Sequence, residues 1–467
     1  MIGELQSRTD GNDRPPIEPT PRDKAIPMSY AQERSWRFSQ TPEGAAGYTD
    51  ATTTRIRGHL DIGVFHRAVD QIFRRHEMLR TTFAEHDGRP VQIIHPPTHA
   101  ELSFVDVSAA ADPEGNAAAT LTETASQPFD LARGPLVRLA IVKVGPVEHQ
   151  LQWVDHHIIS DGWSLGLFFD ELGAIYEAFR RGEPSPLPDE IPLQHADFAV
   201  WERRTLRPSN RHFQADLEWW AETLHNAPPP LVLPFRRTEP EPTAAAEEGA
   251  IWWGMMPDVS RALDQQGRDA DATWFMVRLA VLAAQLALET DSDDLLLATY
   301  TGGRSVAATR AMFGCFSNVV PLRLRISPML SFSEILTRVR TCVIAMKPHG
   351  DFPFELLSSG LAARGIEPPE LRLIFNPGTR VHRDFADLEI TPLKRTYPGM
   401  PWGFTFSPSR PREATNCNVA FDARIHDPAG VRQFIERFQA LAVEVAAEPG
   451  RVLDTLPGVQ TEPIPTD

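Results

Sequence analysis

Cysteine is nearly absent: Cys315, Cys342 and Cys417 are the three in 467 residues, far apart and in no CxxC pair. That excludes a disulfide-stapled scaffold and a thiolate metal cluster, and it makes a reducing compartment, the cytoplasm, the expected location. Lysine is almost as scarce, at positions 24, 143, 347 and 394, so the cationic side chains are almost all arginine. With 46 basic against 62 acidic residues the net charge is −16, a balance that repels a phosphate backbone or an anionic bilayer. Neither nucleic acid nor membrane is an expected partner. No apolar run approaches the roughly 18 residues of a membrane span; the longest candidate, Trp274 to Leu288, is broken by Arg278 and Gln285. The first thirty residues carry Asp10, Asp13, Pro15, Pro16, Pro19 and Pro21 but no basic leader with an apolar segment, which excludes a signal peptide. No repeat of 20 to 50 residues occurs, against solenoids and propellers.

What is present is globular grammar. Hydrophobic residues at 42% and charged ones at 23% describe an ordinary folded chain, with length for about three domains or two larger lobes. Ile62, Phe65, Val69, Ile72 and Phe73 recur at helical spacing. Leu136 to Val144 and Leu151 to His157 are apolar runs around a Gly145-Pro146 turn, which predicts a hairpin. The stripe Leu165, Phe168, Phe169, Leu172, Ile175, Tyr176 and Phe179 predicts a helix over 164–180. A Pro-rich stretch over 227–242 is read as the linker between two lobes. Beyond it follow a helix over 272–289, strands over 295–300 and 317–325, and a helix over 332–346 opened by a Ser331/Glu334 capping box. Two α/β lobes with mixed sheets are expected.

The sharpest constellation is Val154-Asp155-His156-His157-Ile158-Ile159-Ser160-Asp161-Gly162-Trp163-Ser164, where an apolar strand meets the amphipathic helix. Alternation along the strand sends His156 and His157 to opposite faces, so only one can enter a given cavity. Adjacent ligands that diverge, with no third ligand nearby, argue against metal. A structural histidine pair and a general base remain open. For the base, Asp161 would need a cationic partner if buried, Gly162 would let the backbone bend and bring an amide towards a reacting carbonyl, and Ser160 could cap the helix. No Gly-x-Ser-x-Gly elbow exists, so a base would act on the incoming substrate directly rather than through a covalent enzyme intermediate.

Six motifs in order resemble those of the condensation domains of nonribosomal peptide synthetases, in the chloramphenicol acetyltransferase-like superfamily. They are Ser29 to Trp36, Arg75 to Phe83, His156 to Ser164 as HHxxxDG, Asp197 to Trp201, Phe313 to Asn318, and His349 to Glu355. The resemblance runs from about residue 27 to about residue 445. It implies two acetyltransferase-like lobes in a V with a central tunnel: a disordered leader over 1–26, one lobe over 27–205, and a second over 206–467 that includes the linker and a latch. It further implies His157 as the residue that positions or deprotonates the acceptor, with His156 beside it and the Gly162 amide near a thioester carbonyl. Asp161 is expected in a structural ion pair with Arg304, and Trp163, Ser160 and Asn318 along the tunnel. Arg34, Arg75 and Arg80 are expected as ion-pair partners.

Departures occur at Ser317, Val319 and Val320, and around Arg372 to Pro377, which only loosely follows the last family motif. The double aspartate of heterocyclisation relatives is absent. With no adenylation, carrier or thioesterase sequence between Met1 and Asp467, a free-standing enzyme is expected, as in enediyne biosynthesis. It would transfer an acyl or aminoacyl group from the phosphopantetheine of a carrier protein in trans to a small alcohol or amine, with no cofactor or metal of its own. A coenzyme A-dependent acyltransferase, or a domain joining two carrier-bound substrates, are the alternatives.

Overall fold

The computed structural model describes residues 15–41, 48–239, 249–290, 292–376, 385, 387–396, 403–409 and 415–456. The first half runs β1 (Ile26–Pro27), α1 (Tyr30–Phe38), β2 (Thr49–Arg57), α2 (Ile62–Arg75), β3 (Thr81–His86), β4 (Arg89–Ile94), β5 (Leu102–Asp106), α3 (Pro113–Ser126), β6 (Val137–Gly145), β7 (Glu148–His156), α4 (Gly162–Arg180) and α5 (His195–Thr205). The second runs α6 (Arg211–Leu224), β8 (Ala250–Met255), α7 (Pro257–Asp269), α8 (Trp274–Thr290), β9 (Asp294–Thr301), β10 (Asn318–Arg325), α9 (Phe332–Met346), α10 (Phe354–Ala363), β11 (Leu373–Phe375), β12 (Glu389–Thr396), β13 (Phe404–Ser409), β14 (Thr415–Phe421) and α11 (Pro428–Ala447).

Both halves are mixed α/β. The expected hairpin is β6 and β7, antiparallel with Val137 opposite Asp155. In the five-stranded sheet of order β12-β2-β7-β6-β5, β7 is central, which buries the strand that ends at His156. Helices α2 and α4 pack their apolar stripes on this sheet, with Phe65, Ile72, Phe168, Leu172 and Tyr176 in one core. A six-stranded sheet, β10-β9-β11-β13-β14-β8, carries the second core beneath α8, α9 and α11. The Ser331/Glu334 capping box opens α9 as expected.

The halves interlock. β12 comes from the second half yet adds an edge strand to the first, pairing Ile390 with Ile56, and its Pro392 stands at the edge where no ladder partner is lost. Phe385 just before it lies against α4, where a Cβ on Gly173 would come within 2.6 Å of the ring, so glycine is needed there.

Two expectations are corrected. Residues 1–14 lie outside the described residues, but 15–26, expected in a disordered leader, are packed. Pro15 accepts a hydrogen bond from Trp201 Nε1 at 2.6 Å, Ile17 joins Phe198 and Trp201 in a small core, and Asp197 binds the Thr20 amide and Arg22. The prolines hold this strap extended, which lowers the entropy lost on docking. The Pro-rich stretch expected as a spacer between lobes also packs, through Leu231, Leu233 and Phe235, in the second core; α6 has already joined that core before it. Positions 240–242 of that stretch lie outside the described residues.

Between α1 and α5 lies a cavity of about 30 Å³ lined by Tyr30, Phe198, Trp201, Glu202, Phe316 and Asn318, about the space of one water. Burial pushes the Glu202 carboxyl up to about 7, against the Tyr30 amide it accepts from and the nearby Arg203. The unfolded chain therefore releases this proton near pH 4.5 and the folded chain near 7. Stability from this group falls as pH rises through that window, by roughly 3 kcal/mol in all. Glu202→Gln keeps an acceptor for Tyr30 and removes the titration. Its melting temperature should exceed that of the parent at pH 8 and converge with it near pH 4.5; parallel curves would contradict this.

Candidate active site

The site begins where β7 stops. His156 is the last residue of the strand and Gly162 the first of α4, so five residues turn the chain from the sheet into a helix. Asp161, not Ser160, caps that helix: its carboxylate accepts from the Ser164 amide at 2.8 Å. Ser160 is buried and donates instead to Asp155. Gly162 takes the first helical position without left-handed backbone, so the bend expected of it is made elsewhere. Its value is a bare first-turn amide at a helix N-terminus.

The two histidines lie in different surroundings, though both rings pack on Tyr48. His156 is buried against Tyr48, stacked at 6.1 Å, and against Phe129. Burial, with His157 alongside, pulls its pKa down to about 3, so it is neutral. Its Nδ1 accepts from the Ile158 amide at 3.1 Å, which assigns the proton to Nε2, 3.0 Å from Ser39 Oγ. That is a satisfied structural histidine. His157 is different: its side chain is 32% exposed, while His156, Ile158, Ile159, Ser160 and Asp161 around it are buried. Its amide is pinned to the Tyr48 carbonyl at 2.8 Å.

Beneath His157 lie two acidic residues that motif reading passed over. Asp155 lies two residues before it, near the end of β7, and Asp50 stands opposite Asp155 across the β2–β7 ladder. Asp50 Oδ2 is 4.0 Å from His157 Nε2. Asp155 is held by Trp153 Nε1 at 2.6 Å and by the Ser160 hydroxyl. Burial, offset by His157 and reinforced by Asp50, pushes Asp155 up to about 6.

Asp161 and Arg304 meet across the two halves. Arg304 Nη2 lies 3.1 and 3.2 Å from the two carboxylate oxygens and 2.9 Å from Ser164 Oγ, while Nη1 reaches the Met312 carbonyl at 2.7 Å and the Thr309 carbonyl. The Phe316 amide donates to Asp161 at 3.1 Å, and the Phe316 ring lies 3.9 Å from the guanidinium. Burial pulls the Arg304 pKa down, against Asp161. Gly303 makes the turn that aims Arg304, with φ +59°; a Cβ there would sit 1.9 Å from the Phe316 carbonyl oxygen.

Trp163 and Asn318 each make structural contacts. Trp163, expected on a tunnel wall, is half exposed and donates to the Arg310 carbonyl at 3.0 Å, another link between the halves. Asn318, expected to bond within the tunnel, spends its amide on backbone: Gly350 and Phe352 carbonyls at 2.9 and 2.7 Å, and the Phe354 amide at 3.2 Å. It splints two motif segments together. Arg34 reaches the Ser317 carbonyl at 2.7 Å and Glu355, and Arg75 pairs with Glu171 on α4 at 3.1 Å. Arg80 bonds the His95 carbonyl, so backbone takes the place of the expected ion pair. Of the loosely matched motif, Leu373 to Phe375 form β11 and Pro377 lies outside the described residues. Among the described residues no group of three His, Cys, Asp or Glu could hold a metal.

Asp161→Asn keeps the helix cap and deletes the charge, leaving Arg304 buried and unpaired at a cost of about 3–5 kcal/mol. Its melting temperature should fall, and Arg304→Met in the same chain should recover part of the loss. An unchanged melting temperature would refute the pair's structural role.

The condensation-domain family model matches residues 22–460. A linear gramicidin synthase polypeptide of Brevibacillus parabrevis is 32% identical over 462 residues, 96% of this chain but 6% of that protein. This chain thus spans a small fraction of that relative. Among solved structures, the X-domain from teicoplanin biosynthesis superposes with a TM-score of 0.80 at 25% identity, covering 95% of this chain and 99% of the X-domain. The SgcC5 protein of Streptomyces globisporus, bound to a naphthyl-ethanediol and sucrose, gives a TM-score of 0.75 at 23% identity, covering 91% and 100%. The chain belongs to the condensation-domain family of nonribosomal peptide and antibiotic biosynthesis.

Proposed function

We propose that this chain is an acyl-transfer condensation enzyme that joins an acyl or aminoacyl group, delivered as a phosphopantetheine thioester on a carrier protein, to an alcohol or amine. The observation that carries the reading is His157: a partly open imidazole in a stretch otherwise buried. An open imidazole flanked by a helix N-terminus is a base beside an anion-stabilising amide.

In the reaction, His157 Nε2 takes the acceptor's proton as its oxygen or nitrogen attacks the thioester carbonyl. The new C–O or C–N bond forms, the C–S bond breaks, and the proton passes to the pantetheine thiolate, so imidazole and enzyme return unchanged. The Gly162 amide, at the N-terminus of α4, faces the negative charge that develops on the carbonyl oxygen. Asp161 and Arg304 hold the helix and take no part in proton transfer. The two halves form a V whose seam is a tunnel, with His157 midway and a carrier arm entering from a mouth. The enzyme works free-standing, with carriers supplied in trans and no cofactor of its own.

The chain should be assayed with loaded carrier and an acceptor panel. His157→Ala should lower turnover about 10²–10⁴-fold with melting temperature unchanged. Turnover within a few-fold of the parent would remove His157 from the chemistry.

A further inference from the structure

The N-terminal strap, the end of α2 and the segment leading into α5 enclose a cavity of about 420 Å³ whose lining includes none of residues 155–164 and neither Asp50 nor Arg304. Its walls carry four arginines and four acids, and most of that charge is already paired. Arg22 lies 2.8 Å from Glu77 and 2.7 Å from Asp197, and Asp197 also accepts from the Thr20 and Gln194 amides. Arg75 is held by Glu171 and the Pro188 carbonyl, and Asp189 accepts from Gln71 at 2.6 Å. The remainder is Arg74, Arg80 and Glu190.

Arg74 is exposed on α2, and neither it nor Arg80 meets a carboxylate within ion-pair distance among the described residues. Arg80 gives Nη1 to the His95 carbonyl, while its Nε is buried without an acceptor and Nη2 makes no bond. The Nε–Nη2 edge is the one that takes two carboxylate oxygens where Arg323 meets Asp294 and Arg437 meets Glu289. In Arg80 that edge is unspent, and a buried N–H without an acceptor is costly. Burial pulls the Arg80 pKa down against Glu77 and Glu190, with Arg22 adding to the burial.

We propose that this cavity binds a small organic phosphate monoester, with its phosphate held by Arg80 and Arg74. An apolar ligand would desolvate these guanidiniums without bonding them, and a cation would be repelled. A phosphate monoester carries about −1.5 to −2 at pH 7, close to one charge for each unpaired arginine, and its oxygens fit the guanidinium fork. The volume lies in the range of small-molecule sites, roughly 300–1,000 Å³, so the phosphate brings an organic body with it. Glu190 opposes the ligand's charge. Pro19, Thr20 and Arg22 of the strap form part of the wall, so binding also holds the strap in place.

The test is isothermal titration calorimetry of the full chain at constant ionic strength, with glycerol 3-phosphate, inorganic phosphate and glycerol as probes. Glycerol 3-phosphate should bind with a Kd below about 1 mM and raise the melting temperature, and glycerol should do neither. Arg74→Gln and Arg80→Gln should each weaken binding about tenfold, the worth of one charge-assisted hydrogen bond. Glu190→Gln should tighten it by roughly threefold or more, because a like charge is removed from beside the anion; a purely structural Glu190 would not. Arg74 and Glu190 are both exposed, so these two variants decide the matter if Arg80→Gln does not fold. No binding of glycerol 3-phosphate by the parent, or a Kd unchanged in Arg74→Gln and Glu190→Gln, would overturn the site. Inorganic phosphate bound as tightly as the ester would overturn the organic ester as its ligand. Acyl transfer stands or falls separately.

Discussion

The contact between Asp161 and Arg304 is the constraint on which the rest of the site hangs. A carboxylate and a guanidinium, both nearly out of water, are tolerated together because each is further satisfied by hydrogen bonds: Ser164 and Phe316 amides on the acid, Ser164 Oγ and three carbonyls on the base. Either alone would be costly. The carboxylate is also the cap of α4, so the pair that joins the halves fixes the N-terminus of the helix and, four residues upstream, the position of His157. His157 needs no left-handed backbone of its own; it is held between a central strand and a capped helix.

Around that contact the chain repeats one device, a segment of one half buried in the other. β12 extends the first sheet, Phe385 occupies the space left by Gly173, Arg34 reaches Ser317 and Glu355, and Trp163 reaches Arg310. The N-terminal strap does the same locally by lying on α5 through Asp197 and Trp201. Interfaces between domains of one chain slide readily when they are small and polar. These cross-links are distributed instead over several elements.

What could be read from the sequence was local. The 3.6-residue stripe of α4, the period-two runs of β6 and β7 and the α9 capping box all emerge from spacing, and the order of motifs supplied Arg304 as the partner of Asp161. Residues whose surroundings come from distant chain could not be read. Asp50 is one position in a Thr-rich strand until the register sets it against Asp155. β12 pairs with a strand more than three hundred residues earlier. Residues 15–26 have the composition of a disordered segment, and only α5 shows why they pack. Asp155 was within reach, since it stands two residues before His157. Asn318 was legible as part of a motif but not as a splint, because its three partners lie on a segment more than thirty residues on.

The central claim is that a carrier-bound acyl group leaves its thioester for a nucleophile held at His157. Intact-mass measurement of a holo carrier protein loaded with an aminoacyl group, with and without the enzyme and an acceptor, tests it most directly. The account predicts loss of the acyl mass only when enzyme and acceptor are both present, with the joined product appearing in step. A loaded carrier left untouched while the matching acyl-coenzyme A is consumed would contradict it.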